Sequence, residues 1–136
     1  MPNPTETAML RVMLVEDSAL LRGMLEEMIE EIDGVEVAGD ADGESLAIEQ
    51  LRCQPVDLAI VDLELNEGSG FGVLEHLMRS PEPSGRPRAV VFSTYANRAV
   101  RQRCKALGAD AFFDKSDGLD DLLDYIETAA RGQSAG

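Results

Sequence analysis

The sequence predicts an α/β domain, a five-stranded parallel sheet with helices on both faces. Three observations carry that prediction. Short β-rich runs alternate with helical patterns five times over, the order expected of a parallel sheet covered on both sides. The 136 residues, 44% of them hydrophobic, suffice for one core and are too apolar for a disordered chain. Acidic, hydroxyl and lysine side chains fall just after successive apolar runs, at the strand ends where an open α/β sheet binds ligands.

The strands are read at Leu10–Val15, Val35–Gly39, Asp57–Asp62, Ala89–Ser93 and Ala111–Asp114. Leu21, Met24, Leu25, Met28, Ile29 and Ile32 recur at three- and four-residue steps, as one buried helix face. Ser18 stands where it can cap that helix. The second helix, from about Glu44 to Cys53, has a weaker pattern. Leu74, Leu77 and Met78 mark a third; Ala96, Val100, Cys104 and Leu107 a fourth; Leu119, Leu122, Leu123 and Ile126 a fifth. Residues 1–9 and 132–136 read as flexible tails around a single domain at 10–131, with no internal repeat.

Composition narrows the function. Twenty-six acidic against 12 basic residues give a net charge of −14, which repels phosphates and argues against a nucleic-acid or anionic-membrane binder. No apolar run has membrane-span length, and "MPNPTET" is no secretory signal. Cys53 and Cys104 lack metal-ligand or CxxC spacing. They read as two buried or half-buried thiols of a cytoplasmic protein, with a disulfide left open.

The stretch "RVMLVEDSAL" raises the functional question, because an apolar strand ends there in adjacent carboxylates, Glu16 and Asp17. Two like charges about 4 Å apart repel by roughly 4 kcal/mol at an effective dielectric near 20, so the pair asks for a cation. Asp62 ends the third strand, Ser93 and Thr94 the fourth, and Lys115 the fifth. If the first and third strands are neighbours, three carboxylates converge on one rim with a hydroxyl and a lysine. Such a set suits a hard divalent cation and the oxygens of a phosphoryl group.

At these residues the chain resembles the receiver domain of two-component response regulators, in the segments "VEDS" (15–18), "IVDLELNEGSGFGVL" (60–74), "VVFST" (90–94) and "GADAFFDKS" (108–116). The resemblance covers roughly residues 9 to 131. It implies the flavodoxin-like strand order 2-1-3-4-5. It also implies that Asp62 is the nucleophile taking a phosphoryl group from a histidine kinase, a histidine phosphotransfer protein or a small phosphodonor. Glu16, Asp17, Asp62 and the backbone carbonyl of Glu64 would hold Mg²⁺, with Mn²⁺ able to substitute. Lys115 would bind a phosphoryl oxygen, Ser93 would move to meet the group, and Phe112 would swing as the switch aromatic. The protein would thus catalyse its own phosphorylation and dephosphorylation without being a conventional enzyme. Glu64 and Tyr95, two residues beyond Asp62 and Ser93, are expected to gate an attacking water and to slow hydrolysis.

Two departures from the family pattern stand out. Asn66 replaces the usual proline four residues after Asp62, predicting a less rigid loop. Ser116 replaces the proline whose peptide bond is commonly cis in the family. A non-proline cis bond costs about 3 kcal/mol, so the loop should be trans or strained.

Blander readings stand beside these. Glu16 and Asp17 alone suit a helix N-terminus, Lys115 alone is a surface lysine, and Phe112 a half-buried aromatic. "GSGFG" (68–72) lacks GxGxxG spacing and a Lys-Ser/Thr pair, so it reads as a turn and not a nucleotide loop. His76 reads as a surface residue. Arg98, Arg101, Arg103 and Lys105 on the fourth helix face Asp120, Asp121, Asp124 and Glu127 on the fifth only in sequence pattern. Two solvated faces are the default there and a homodimer or partner surface the alternative. With no output domain in the chain, the protein is expected to act on an unknown downstream protein or as a phosphorelay shuttle. The readings from other classes are a pseudo-receiver scaffold, which would bind no Mg²⁺, and a flavodoxin-like small-molecule binder.

Overall fold

The computed structural model describes residues 9–79 and 86–135, the last three by backbone alone. Strands and helices alternate as β1 (Leu10–Val15), α1 (Ala19–Glu30), β2 (Val35–Ala41), α2 (Glu44–Cys53), β3 (Leu58–Val61), α3 (Gly70–Arg79), β4 (Arg88–Ser93), α4 (Arg98–Ala106), β5 (Ala111–Asp114) and α5 (Leu119–Ala135). All strand pairs are parallel and the order is β2-β1-β3-β4-β5, as expected. The first eight residues of the expected N-terminal tail lie outside the described residues.

The sheet divides the core into two layers by the two-residue period of its strands. Leu10, Val12 and Leu14 of β1 point with Leu58, Ile60, Val90 and Phe92 toward Leu25 and Ile29 of α1 and Leu122 and Ile126 of α5. Met13 and Val15 point the other way, with Ala59, Val61 and Val91, toward Ala47, Val73, Leu74, Leu77 and Cys104 of α2, α3 and α4. The central strands are thus buried on both faces, which is why β3 reads as the unbroken apolar run LAIV.

Several sequence expectations need correction. Met24 of α1 is 45% exposed, because one residue from Leu25 it lies about 100° around the helix from the buried stripe. The buried face is centred on Leu25 and Ile29 instead. Met78 likewise falls off the edge of the α3 face made by Gly70, Val73, Leu74 and Leu77. Ala96 precedes α4, whose cap is Asn97, its side chain accepting from Val100 N at 2.9 Å. Strand β2 runs two residues past Gly39 to Ala41, whose carbonyl accepts from Glu16 N at 2.9 Å. Cys53 is exposed and Cys104 buried, and both are free thiols. Helix α5 continues to Ala135, past the expected boundary at residue 131. Ser18 caps α1 as expected, its hydroxyl accepting from Leu21 N at 3.2 Å.

Leu122 is fully buried between α5 and the sheet. Leu122→Ala is expected to lower the unfolding free energy by about 3 kcal/mol, from lost burial plus the cavity left behind. Urea titration measures this, and a negligible loss would contradict the seating of α5.

Candidate phosphoryl-transfer site

Strand register assembles the site. Val15 pairs with Val61 in the β1–β3 ladder, so Glu16 and Asp62 emerge side by side from adjacent strands. Asp62 N donates to Val15 O at 2.9 Å, fixing that step. Val61 pairs with Val91 and Ser93 with Asp114, which carries the rim on to Ser93. Lys115 N donates to Ser93 O at 3.0 Å, so the lysine leaves β5 at the same end of the sheet. The sequence-predicted residues Glu16, Asp17, Asp62, Ser93 and Lys115 therefore share one rim.

The centre of the site is an ionic triad. Lys115 Nζ lies 2.8 Å from Glu16 Oε1 and 2.9 Å from Asp62 Oδ2. Glu16 is 1% exposed and Asp62 4%, so neither charge is solvated by bulk water and each depends on the lysine. Burial pushes both carboxyl groups above the ordinary carboxylate range, with Lys115 pulling the other way. Burial alone would lower the Lys115 ammonium, but its hydrogen bonds to Glu16 and Asp62 hold it above its ordinary value. Glu16 spends its second oxygen on Ser18 N at 3.0 Å. Arg22, one turn further along α1, donates Nη1 to Glu16 O at 2.7 Å. Sequence reading missed Arg22; its place four residues after the capping serine was the available signal.

Oxygen ligands from Glu16, Asp17 and Asp62 lie within 4.8 Å of one another. Three carboxylates against one ammonium leave the cluster about two charges short of balance, and every donor is a hard oxygen. That donor set fits a hard dication such as Mg²⁺.

Ser93 is fully buried, and its hydroxyl accepts from Tyr95 N at 3.1 Å. Tyr95 is half exposed, and the neighbouring Glu64 carboxylate raises its phenol above the ordinary value. Glu64 N in turn donates toward Asp62 Oδ1 at 3.4 Å. Phe112 is half-buried against the α4 side of the core, with the Arg101 guanidinium 4.5 Å from its ring centroid. Arg101 Nε also donates to Ala96 O at 2.9 Å, so it touches both the β4–α4 loop and Phe112. The Lys115–Ser116 bond is trans, since no cis peptide occurs among the described residues. Ser116 instead ties back to Asp114 Oδ1 through its N–H at 2.9 Å and its hydroxyl at 2.8 Å. These two bonds hold the Asp114 carboxyl below its ordinary value. His76 is half-buried on α3 and takes no part in the site. Among the described residues no helix is long and apolar enough to cross a membrane.

The buried acids make a signed prediction. A carboxyl whose pKa is raised by folding contributes stability below its unfolded value that is lost as pH rises through the folded one. Asp62→Asn, which removes one of them, is therefore expected to stabilise the protein, by an amount that grows as pH rises above the ordinary carboxylate range near about 4. Thermal melts of both proteins at rising pH measure it. A gain that shrinks with pH would contradict the burial argument.

The response regulator receiver domain family matches residues 12–127 of the chain. A protein-glutamate methylesterase/protein-glutamine glutaminase of Desulfotalea psychrophila is 36% identical over 103 residues, covering 76% of this chain and 28% of the relative. A transcriptional regulatory protein of Bacillus subtilis is 29% identical over 126 residues, 92% of this chain and 61% of the relative. The matched region is thus only part of each of these longer proteins. The response regulator domain of Thermotoga maritima CheB superposes with a TM-score of 0.75 at 24% identity, covering 94% of this chain and 98% of that one. A LuxR-family response regulator of Aurantimonas superposes with a TM-score of 0.80 at 25% identity, covering 93% and 88%. The rim of acids and lysine, the strand order and the family match agree: the chain belongs to the response regulator receiver domain family of two-component signalling.

Proposed function

We propose that this receiver accepts a phosphoryl group on Asp62 and changes its protein contacts as a result. The observation that carries the reading is the convergence of Glu16, Asp17 and Asp62 within 4.8 Å of one another, with the Lys115 ammonium paired to Glu16 and Asp62. In the transfer, a carboxylate oxygen of Asp62 attacks phosphorus. The P–N bond of a phosphohistidine, or the P–O bond to the acyl group of acetyl phosphate, breaks, and the leaving imidazole or acetate keeps the electron pair. There is little covalent chemistry left for the protein, whose work is positioning and charge neutralisation.

Glu16, Asp17, Asp62 and the Glu64 carbonyl would hold Mg²⁺ or Mn²⁺, which supplies positive charge to the phosphoryl oxygens. Lys115 neutralises another of those oxygens and already sits against the nucleophile. Ser93, buried at the rim, offers its hydroxyl to a third, which requires it to leave the Tyr95 amide it now accepts from. Movement of that loop releases Arg101 from Ala96 and lets Phe112 repack, and this alters the α4 surface read by a partner. Glu64 and Tyr95, tied to Asp62 and Ser93 through their backbone N–H groups, flank the approach to Asp62 and slow attack by water.

The phosphodonor is a histidine kinase or histidine phosphotransfer protein, and the readout a downstream protein. Arg98, Arg101, Arg103 and Lys105 on α4 and Asp120, Asp121, Asp124 and Glu127 on α5 are all exposed. Their opposite charges make a homodimer through these helices the second reading of that surface. The net charge of −14 disfavours nucleic acid and membrane as direct partners, and a cytoplasmic setting matches a kinase donor.

Intact-mass analysis after incubation with acetyl phosphate tests the reading. One phosphoryl group is expected in the parent with Mg²⁺, none without Mg²⁺ and none in Asp62→Asn. The added mass should decay faster in Tyr95→Ala. A phosphoryl group that persists in Asp62→Asn would contradict the assignment, and equal decay in Tyr95→Ala would remove the gate.

A further inference from the structure

The glycine run Gly68-Ser69-Gly70-Phe71-Gly72 opens α3 without being a nucleotide loop, and the structure gives it another purpose. At Gly70 a Cβ would collide with the backbone carbonyl of Asp62 itself. At Gly68, whose φ is +70°, and at Gly72 a Cβ would overlap the side chain of Glu44. The run is therefore a seat for a carboxylate from the start of α2. Glu44 Oε1 accepts from Ser69 N at 2.9 Å, at the free N-terminal end of α3. The arrangement is reciprocal. Helix α2 begins after Gly43, which has no side chain to cap it. Glu67, from the β3–α3 loop, accepts there from Ser45 N at 2.9 Å and Ser45 Oγ at 3.1 Å.

Each acid thus caps the helix that follows the other's loop, and the ties reach the rim of the site. Ser69 forms an antiparallel bridge with Glu64. Gly70 N donates to Leu63 O at 3.0 Å, and Asn66 N to Asp42 O at 3.2 Å. Asn66 does not restrict its own backbone as a proline would, so these hydrogen bonds fix the loop. We infer that Glu44, seconded by Glu67, is a positioning residue for cation binding: it holds Ser69, and through Ser69 the Glu64 peptide, at the metal edge of the site. This rests on the proposed reading that Asp62 and the Glu64 carbonyl hold a divalent cation.

Calorimetric titration of the full chain with Mn²⁺ tests it without relying on phosphorylation. Glu44→Ala is expected to weaken Mn²⁺ binding roughly tenfold, the lower end of the loss seen when an outer partner of a metal site is removed. Glu67→Ala should weaken it less. Glu44→Gln keeps an acceptor for Ser69 N and should stay within about twofold of the parent. Asp57→Ala controls for stability alone: its carboxylate accepts from Arg11 N at 2.8 Å at the opposite end of the sheet, so it should lower the melting temperature and leave Mn²⁺ affinity unchanged. Parent-like affinity in a folded Glu44→Ala overturns the inference while leaving the phosphorylation reading intact. An equal loss of affinity in Asp57→Ala overturns it too, because any destabilisation would then suffice. A parent that takes up no Mn²⁺ overturns both.

Discussion

One ammonium between two buried carboxylates is the constraint on which the rest of the site depends. Glu16 and Asp62 have almost no contact with solvent, and ionised groups in that position are costly unless paired. Lys115 pairs with both at once. The pairing is incomplete, because Asp17 brings a third carboxylate to the same place. The folded domain therefore holds an unbalanced negative cluster against its own electrostatics. A binding site for a cation and a phosphoryl group is the arrangement in which that imbalance is useful. On the proposed reading, the partners that arrive are the ones the cluster lacks.

The remainder of the fold delivers these groups to one point. Parallel pairing in the order β2-β1-β3-β4-β5 puts every strand's C-terminal end on the same side. Burial of β1 and β3 on both faces leaves little freedom in register, since a one-residue slip would exchange the two core layers. Rigid strands thus place Glu16, Asp62, Ser93 and Lys115, and on the proposed reading the loops between them carry the groups that move. Ser93 and Phe112 straddle that division. Each ends or lies within a strand, yet each touches the β4–α4 segment through Tyr95 N or Arg101.

Much of this was legible in the residues, for identifiable reasons. Strand β1 and strand β5 matched their expected limits because apolar runs were bounded by charge or turn residues. The acids and lysine were legible because each immediately follows such a run. Helix faces were read less well: Met24 and Met78 are hydrophobic, but a residue next to the buried stripe is turned away from it, and composition alone does not show the centre of the stripe. Contacts between separate loops were invisible, as in the capping of α3 by Glu44 from α2. So was the approach of Glu26 on α1 to Asp40 on β2, and that neighbouring carboxylate is the main reason the Glu26 carboxyl is pushed up to about 7. Such pairs join residues that only the folded register brings together, and no local pattern announces them.

The most direct test of the account is the thermal stability of Lys115→Met with and without Mg²⁺. Removing the ammonium leaves two buried carboxylates unpaired, and the expected loss is about 3 kcal/mol in the absence of divalent cation. Mg²⁺ should restore most of that loss, because the same oxygens that held the lysine would then hold the metal. A Lys115→Met protein as stable as its parent, or a loss that Mg²⁺ leaves untouched, would contradict the claim that an unbalanced carboxylate cluster organises this site.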